Sequence, residues 1–165
     1  MDRYSRRRAA ERLVNTETKQ DLEEQMPIEH LGLGVPDVDA AKVYYDELMP
    51  IVGFQPCFGN GYCPEDFQGA QLFLYPTRQA GKYSRHGVGL QHIAFLVRTR
   101  AEVHRVHDWA KARGDEIVRA PNEFPQYGPH CYATFFLDPH GFMIEVVSHD
   151  PQAQAPVRDP FDDLR

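Results

Sequence analysis

Two histidines occupy equivalent positions in two similar stretches of the chain. Residues 30–35 read HLGLGV and residues 92–97 read HIAFLV. In both stretches apolar residues follow the histidine at one, three and five places, which is the alternation of a β-strand with one buried face. His30 and His92 are therefore expected on the opposite face, beside glycines in the first strand and Ala94 in the second. These small neighbours leave room for a bound group.

A carboxylate in a third apolar stretch completes a candidate metal-binding set. Glu145 lies within FMIEVV, residues 142–147. A buried carboxylate is costly unless it is paired or bound to a metal. Two histidines and one carboxylate are the smallest facial ligand set for a divalent metal, so His30, His92 and Glu145 are the predicted ligands. The alternative is that both histidines bond to core neighbours and that Glu145 pairs with an arginine.

The proposed ligand set leaves up to three positions open on an octahedral metal. Those positions can take a bidentate oxygen substrate together with O₂ or water. Imidazole and carboxylate groups suit Fe(II), Mn, Ni, Co and Zn, so the predicted cofactor is a divalent metal ion of this series.

The elements around these residues repeat once along the chain. A helix is predicted after each histidine strand, capped by Asp37 or Asp39 in the first half and by Thr99 in the second. The first helix is expected to end near Gly53 and the second at Gly114. Each helix is followed by three stretches suited to strands: 51–57, 61–63 and 70–75 in the first half, and 116–120, 131–137 and 142–148 in the second.

These elements predict the fold class and the domain organisation. The fold class is α+β, with two tandem βαβββ modules forming an open, curled mixed sheet around a metal cleft. Residues 1–26 are expected to be a polar N-terminal extension, 27–149 the folded domain, and 150–165 a C-terminal tail rich in Pro and Asp. The modules cover about residues 28–77 and 90–149.

Composition narrows the function classes. The 165 residues are 42% hydrophobic and 25% charged, as expected for one globular domain, and the net charge of −6 does not favour a nucleic-acid partner. There is no apolar run of membrane-span length and no secretory signal, so no membrane partner and a cytoplasmic location are predicted. Cys57, Cys63 and Cys131 are expected to be free thiols, although the first two flank a turn and could close as a disulfide.

Three stretches in a fixed order carry a family resemblance. They are the His30 strand with Asp37–Tyr45 after it, LQHIAF at residues 90–95 and, most specifically, FFLDPHGFMIE at residues 135–145. Together they resemble the vicinal-oxygen-chelate superfamily, which includes glyoxalase I, extradiol dioxygenases, fosfomycin-resistance enzymes and bleomycin-binding proteins. The resemblance implies paired βαβββ modules around a metal, the same three ligands, a small-molecule substrate and a homodimer.

A fourth metal ligand found in many members of that superfamily is missing from this sequence. Aligning residues 69–73 with residues 141–145 puts Phe73 at its position, and neither Phe73 nor Leu74 can bind a metal. Three protein ligands are the pattern of extradiol dioxygenases and fosfomycin-resistance enzymes. The resemblance therefore implies a metal-dependent enzyme for a substrate with vicinal oxygens, with an extradiol-type dioxygenase using Fe(II) favoured. The alternatives are a glyoxalase-like lyase or isomerase, and a non-catalytic small-molecule binding protein like the bleomycin-resistance proteins.

His130 and Tyr132 are the candidate catalytic residues. They alternate along a strand just before the turn at Asp138, which predicts that both face the cleft. Residues 130–145 resemble part of the extradiol dioxygenase signature, and this resemblance implies that His130 handles a proton of the substrate hydroxyl or of bound oxygen. Tyr132 is expected to donate a hydrogen bond in the pocket. The alternatives are a histidine on the loop rim and core packing for the tyrosine.

Overall fold

The computed structural model describes residues 28–65, 69–79, 81 and 83–151. The predicted N-terminal extension, residues 1–26, and nearly all of the predicted tail, residues 150–165, lie outside the described residues. None of the helices in the described residues combines the length and the apolarity needed to cross a membrane.

Two βαβββ modules follow one another along the chain, as predicted. The first contains β1 (His30–Val35), α1 (Val38–Ile51), β2 (Phe54–Pro56), β3 (Gly61–Pro64) and β4 (Gln71–Pro76). The second contains β5 (Ile93–Leu96), α2 (Arg100–Arg113), β6 (Ile117–Glu123), a 3₁₀ turn (Pro125–Tyr127), β7 (Tyr132–Leu137) and β8 (Met143–Ser148).

Each module forms its own four-stranded mixed sheet. The strand orders are β1-β4-β3-β2 in the first sheet and β5-β8-β7-β6 in the second, so the two topologies are identical. In each sheet the histidine strand pairs in parallel with the last strand of its module. The other pairings in both sheets are antiparallel. The predicted α+β class with open sheets is therefore confirmed.

The helix ends follow from local sequence. Asp37 caps α1 by accepting a hydrogen bond from the backbone N–H of Ala40 at 3.0 Å. Thr99 and Glu102 form a reciprocal capping box at the start of α2, and Gly114 ends that helix in the left-handed conformation at φ 85°. The two helices thus start at equivalent distances from His30 and His92, which keeps the two histidine strands in equivalent positions.

One hydrophobic core joins the two modules through their helix-facing sides. Tyr44 of α1 packs on Trp109 of α2 with ring centroids 5.2 Å apart, and Phe54 packs edge-to-face on Phe95 at 5.5 Å. Alternate residues of the strands enter this core, including Leu33, Val35, Leu72, Leu74, Phe136, Ile144 and Val146. The opposite face of each sheet, called its outer face below, points away from this shared core.

Hydrogen bonds between side chains also link the modules. Tyr45 of α1 donates its hydroxyl hydrogen to the Asp138 carboxylate at 2.8 Å, and Tyr44 donates to Asp115 at 2.9 Å. Asp138 is buried and also accepts the backbone N–H groups of His140 and Phe142. Burial raises the pKa of Tyr45 well above its ordinary value, so this hydroxyl remains a donor.

Cys57 and Cys63 form a disulfide, so the prediction that they are free thiols is wrong. The β2–β3 hairpin brings their Cα atoms to 5.8 Å, because Gln55 pairs with Cys63 and the Cys57 N–H bonds to the Gly61 carbonyl. The prediction of free thiols relied on an expected reducing cytoplasm, whereas the geometry of the β2–β3 hairpin favours the Cys57–Cys63 disulfide. Cys131 is free and buried, as expected.

Replacing Cys57 and Cys63 together with serine is expected to lower the free energy of unfolding by about 2 kcal/mol, the effect of opening a short loop of the unfolded chain. Urea unfolding followed by circular dichroism measures the change. Dithiothreitol should destabilise the wild type similarly and leave the double variant unaffected. Equal unfolding midpoints for the wild type, reduced wild type and double variant would contradict the prediction.

Candidate metal centre

The structure brings His92 and Glu145 together on the outer face of the second sheet. His92 immediately precedes β5, and Ala94, two residues further on, pairs with Glu145 of the adjacent parallel strand β8. The His92 Nε2 atom lies 3.0 Å from Glu145 Oε2, and the two side chains are 37% and 11% exposed. Glu145 is therefore nearly buried, whereas the His92 ring is reachable from solvent.

The charges of the pair favour a cation between the two groups. His92 Nδ1 contacts the Gln91 side-chain oxygen, which can accept the Nδ1–H of one imidazole tautomer and thereby leave the Nε2 lone pair for a ligand. Burial raises the pKa of Glu145, while His92 and His149 oppose that rise. In that tautomer Nε2 and Glu145 Oε2, 3.0 Å apart, are both acceptors, and either a proton or a cation between them satisfies the pair. The donor set therefore fits a divalent metal, with Gln91 orienting the imidazole.

His30 repeats this arrangement on the outer face of the first sheet. Its Nδ1 contacts the Glu29 carboxylate, so Nε2 is again the nitrogen left for a ligand. Its side chain is 52% exposed, and its ring meets the edge of Phe73 at a centroid distance of 5.7 Å. Both histidines thus have an orienting side chain immediately before them in the sequence.

Phe73 occupies the place in the first sheet that Glu145 occupies in the second. Gly32 pairs with Phe73 across the parallel strands β1 and β4, just as Ala94 pairs with Glu145 across β5 and β8. On the other side, Phe73 pairs with Gly61, where Glu145 pairs with Phe135. The strand registers therefore place Phe73 and Glu145 at equivalent positions of the two sheets, in agreement with the sequence alignment of residues 69–73 with residues 141–145.

The predicted three-ligand set is split between the two sheets. Within the described residues, no group of three or more His, Cys, Asp and Glu side chains gathers in a metal-binding arrangement. His30 lies on one outer face, and His92 with Glu145 lies on the other. One chain therefore presents two separate half-sites rather than one assembled centre. The first half-site is His30, and the second half-site is His92 with Glu145.

Tyr132 faces the helix side of its sheet, so the prediction that it faces the cleft is wrong. Its hydroxyl lies 2.8 Å from His104 Nε2, and the Arg100 guanidinium lies 4.6 Å from its ring. The reason is register: Glu145 pairs with Phe135, and residues 132 and 135 point to opposite faces of β7.

His130 lies in the turn before β7 and not within the strand. It is exposed and adopts a positive φ of 60°. Its neighbour Cys131 is buried in a small cluster that also contains Phe135 and Met143. Burial raises the pKa of Cys131, and the negative charge of Glu145 adds a smaller increase. The turn that carries His130 therefore adjoins the Glu145 half-site, but its catalytic role stays a prediction.

Two aromatic side chains beside the second half-site, Phe124 and Phe135, were not among the predicted site residues. Phe135 meets the His92 ring edge at 6.3 Å and is packed against Phe124 at 5.4 Å, which in turn stacks on Tyr127 at 6.0 Å. His149 follows β8, and its electrostatic interaction with Glu145 lowers the pKa of that carboxyl group. That Phe135 lies beside the proposed site follows only from the pairing of β7 with β8, which places Phe135 opposite Glu145.

Comparison with known proteins agrees with this architecture. The family model for the Glyoxalase/Bleomycin resistance protein/Dioxygenase superfamily matches residues 27–146. A candidate glyoxalase from Bacillus halodurans is 25% identical, with a TM-score of 0.62 over 77% of this chain and 98% of that one. No curated protein matches the chain.

Two further solved structures share the fold at lower identity. A glyoxylase/bleomycin resistance protein/dioxygenase domain from Frankia sp. EAN1pec is 15% identical, with a TM-score of 0.63 over 78% of this chain and 95% of that one. A glyoxalase/dioxygenase from Nostoc punctiforme is 21% identical, with a TM-score of 0.57 over 76% and 91%. With the family match over most of its length, the chain belongs to the Glyoxalase/Bleomycin resistance protein/Dioxygenase superfamily.

Proposed function

We propose that the protein is a metal-dependent enzyme acting on a small molecule with vicinal oxygens, and specifically an extradiol-type dioxygenase with Fe(II). The observation that carries the proposal is the His92–Glu145 pair, whose Nε2 and Oε2 atoms lie 3.0 Å apart on the outer face of the second sheet. Phe73 removes the fourth ligand, which favours a three-ligand dioxygenase over a glyoxalase-like lyase or isomerase.

The chain's own groups have distinct roles in this proposal. His30, His92 and Glu145 would hold the metal, and Glu29 and Gln91 would orient the two imidazole rings. The bound metal would supply Lewis-acid polarisation of the substrate oxygens and, as Fe(II), reactivity toward O₂. His130, exposed at the rim of the second half-site, would accept or return the proton of a substrate hydroxyl.

We further propose that two copies of the chain complete each centre. The two modules pack through their helix sides, and this directs the half-sites away from their shared core. A two-fold dimer can place His30 of one copy against His92 and Glu145 of the other, and symmetry then gives two equivalent centres.

Mixed dimers test this arrangement directly. His30→Ala and Glu145→Ala should each abolish metal binding alone, whereas unfolding and refolding them together should restore about a quarter of the wild-type metal content, because half of the dimers are mixed and each has one intact centre. Elemental analysis after anaerobic purification measures it. If the mixture holds no more metal than either variant, the centre is not shared between copies.

One observation favours a second candidate function, a non-catalytic small-molecule binding protein. Phe58 and Tyr75 expose 66% and 51% of their surfaces near His30, which suits binding an apolar ligand. This candidate predicts ligand binding without metal, unaffected by substitution of His92 or Glu145. About one equivalent of iron in the wild type, lost with those substitutions, would exclude it.

A further inference from the structure

Three aromatic rings form a row on the outer face of the first sheet. Phe58 and Phe73 have centroids 5.3 Å apart, and Phe73 and Tyr75 have centroids 6.4 Å apart. The row, called the aromatic wall below, has His30 beside its middle ring, since the His30 ring meets Phe73 at a centroid distance of 5.7 Å. Clusters of exposed apolar side chains on a soluble domain mark binding surfaces more often than isolated exposed residues do.

Glycines beneath the aromatic wall let its rings lie close to the sheet. A Cβ atom on Gly61 would stand 2.5 Å from the Phe73 ring, and one on Gly32 would stand 3.1 Å from the Tyr75 ring. Both rings therefore lean over the backbone of a neighbouring strand. The result is a low apolar surface that leaves space above it for a ligand.

The β2–β3 hairpin holds the third ring of the aromatic wall in place. Phe58 follows Cys57, whose disulfide to Cys63 ties the two strands together. The Phe58 carbonyl accepts the Gly61 N–H at 3.2 Å, and the Cys57 N–H donates to the Gly61 carbonyl at 3.0 Å. The backbone that carries Phe58 is thus held in place, and its ring contacts Phe73, so less chain ordering is needed when a ligand binds.

We infer that the aromatic wall binds a planar aromatic group of the ligand. Ring faces and edges attract other aromatic rings beyond the effect of buried area, whereas a saturated ring gains only the area. His30 lies beside Phe73, the middle ring of the row, so a ligand lying over that ring presents one edge to the imidazole. Calling this ligand the substrate rests on the proposed function. The two halves of the chain differ at the centre of the aromatic wall: the first half has Phe73 where the second half has Glu145.

Calorimetric titration with 1-naphthol in the presence of a chelator tests the inference without any metal. Wild-type protein should bind 1-naphthol more tightly than its fully saturated analogue by roughly 2- to 12-fold, the range expected for aromatic pair contacts. Phe73→Leu and Phe58→Leu should each weaken 1-naphthol binding within the same range and leave the saturated analogue nearly unaffected. Val43→Ala, at an exposed apolar position on α1, is the matched control and should bind like the wild type.

Each contrary outcome has a definite meaning. Equal binding of the two compounds, or unchanged binding by Phe58→Leu and Phe73→Leu in folded samples, would overturn the inference. Failure of wild-type dimer to bind 1-naphthol, with Phe58→Leu weakening the dimer instead, would assign the face to contact between copies and also overturn it. Selective 1-naphthol binding by a protein that holds no metal in any preparation would support the aromatic wall and contradict only the proposed enzyme.

Discussion

Replacing Glu145 with glutamine is expected to lower the affinity for the proposed divalent metal by roughly a hundredfold or more, since loss of an orienting partner alone costs up to that amount and loss of a proposed ligand costs more. The glutamine has nearly the same shape, but its amide lacks the charge that compensates a divalent ion. Its NH₂ group can donate to His92 Nε2, which blocks the nitrogen that would bind the metal.

The Glu145→Gln variant should remain folded. Burial raises the pKa of Glu145, so the charged form is disfavoured there and a neutral side chain removes a desolvation cost. Metal content by elemental analysis and unfolding by urea should therefore respond differently, with the first lost and the second nearly unchanged. Glu116→Gln is the matched control, because that carboxylate is exposed. Retention of one equivalent of metal by Glu145→Gln would remove Glu145 from the ligand set.

Replacing Asp138 with alanine is expected to lower the free energy of unfolding by about 3 kcal/mol or more, since it leaves several buried donors without an acceptor. The Tyr45 hydroxyl, 2.8 Å from the carboxylate, loses its partner inside the core. The N–H groups of His140 and Phe142 lose theirs at the turn between β7 and β8. The same change thus weakens that turn and the contact between the modules.

Tyr45→Phe separates the two effects of the Asp138 substitution. It removes only the hydroxyl, and Asp138 keeps its two backbone donors, so a loss of about 1 kcal/mol is expected. Urea unfolding monitored by far-ultraviolet circular dichroism and by Trp109 fluorescence measures both variants. If Asp138→Ala cost no more than Tyr45→Phe, the backbone hydrogen bonds at the turn would contribute little to stability.

The sequence predicted those parts of the site that depend on local spacing. The repeated order of strand, helix and three strands was predicted in this way, and the structure adds that β5 lies beside β8, which places His92 next to Glu145. Thr99 and Gly114 gave the limits of α2 for the same reason, because capping depends on neighbouring residues. The equivalence of Phe73 and Glu145 also followed from counting along matching strands.

The parts that failed depend on contacts between distant segments. Alternation indicates which residues of β7 share a face, but only the pairing of Phe135 with Glu145 decides which face that is, and Tyr132 lies on the other one. The position of His30 relative to the second half-site depends on how Tyr44 and Trp109 pack the helices together. The disulfide was missed because the expected compartment was given more weight than the hairpin.

The presence of a phenylalanine ring at position 73, instead of a carboxylate, also determines the net charge of the proposed centre. A divalent ion held by two neutral imidazoles and one carboxylate keeps one net positive charge, whereas a second carboxylate in place of Phe73 would cancel it. Under the proposed function, the first sheet therefore leaves a residual charge that a singly ionised ligand can neutralise. A singly deprotonated diol gains from that attraction, and a neutral carbonyl compound does not.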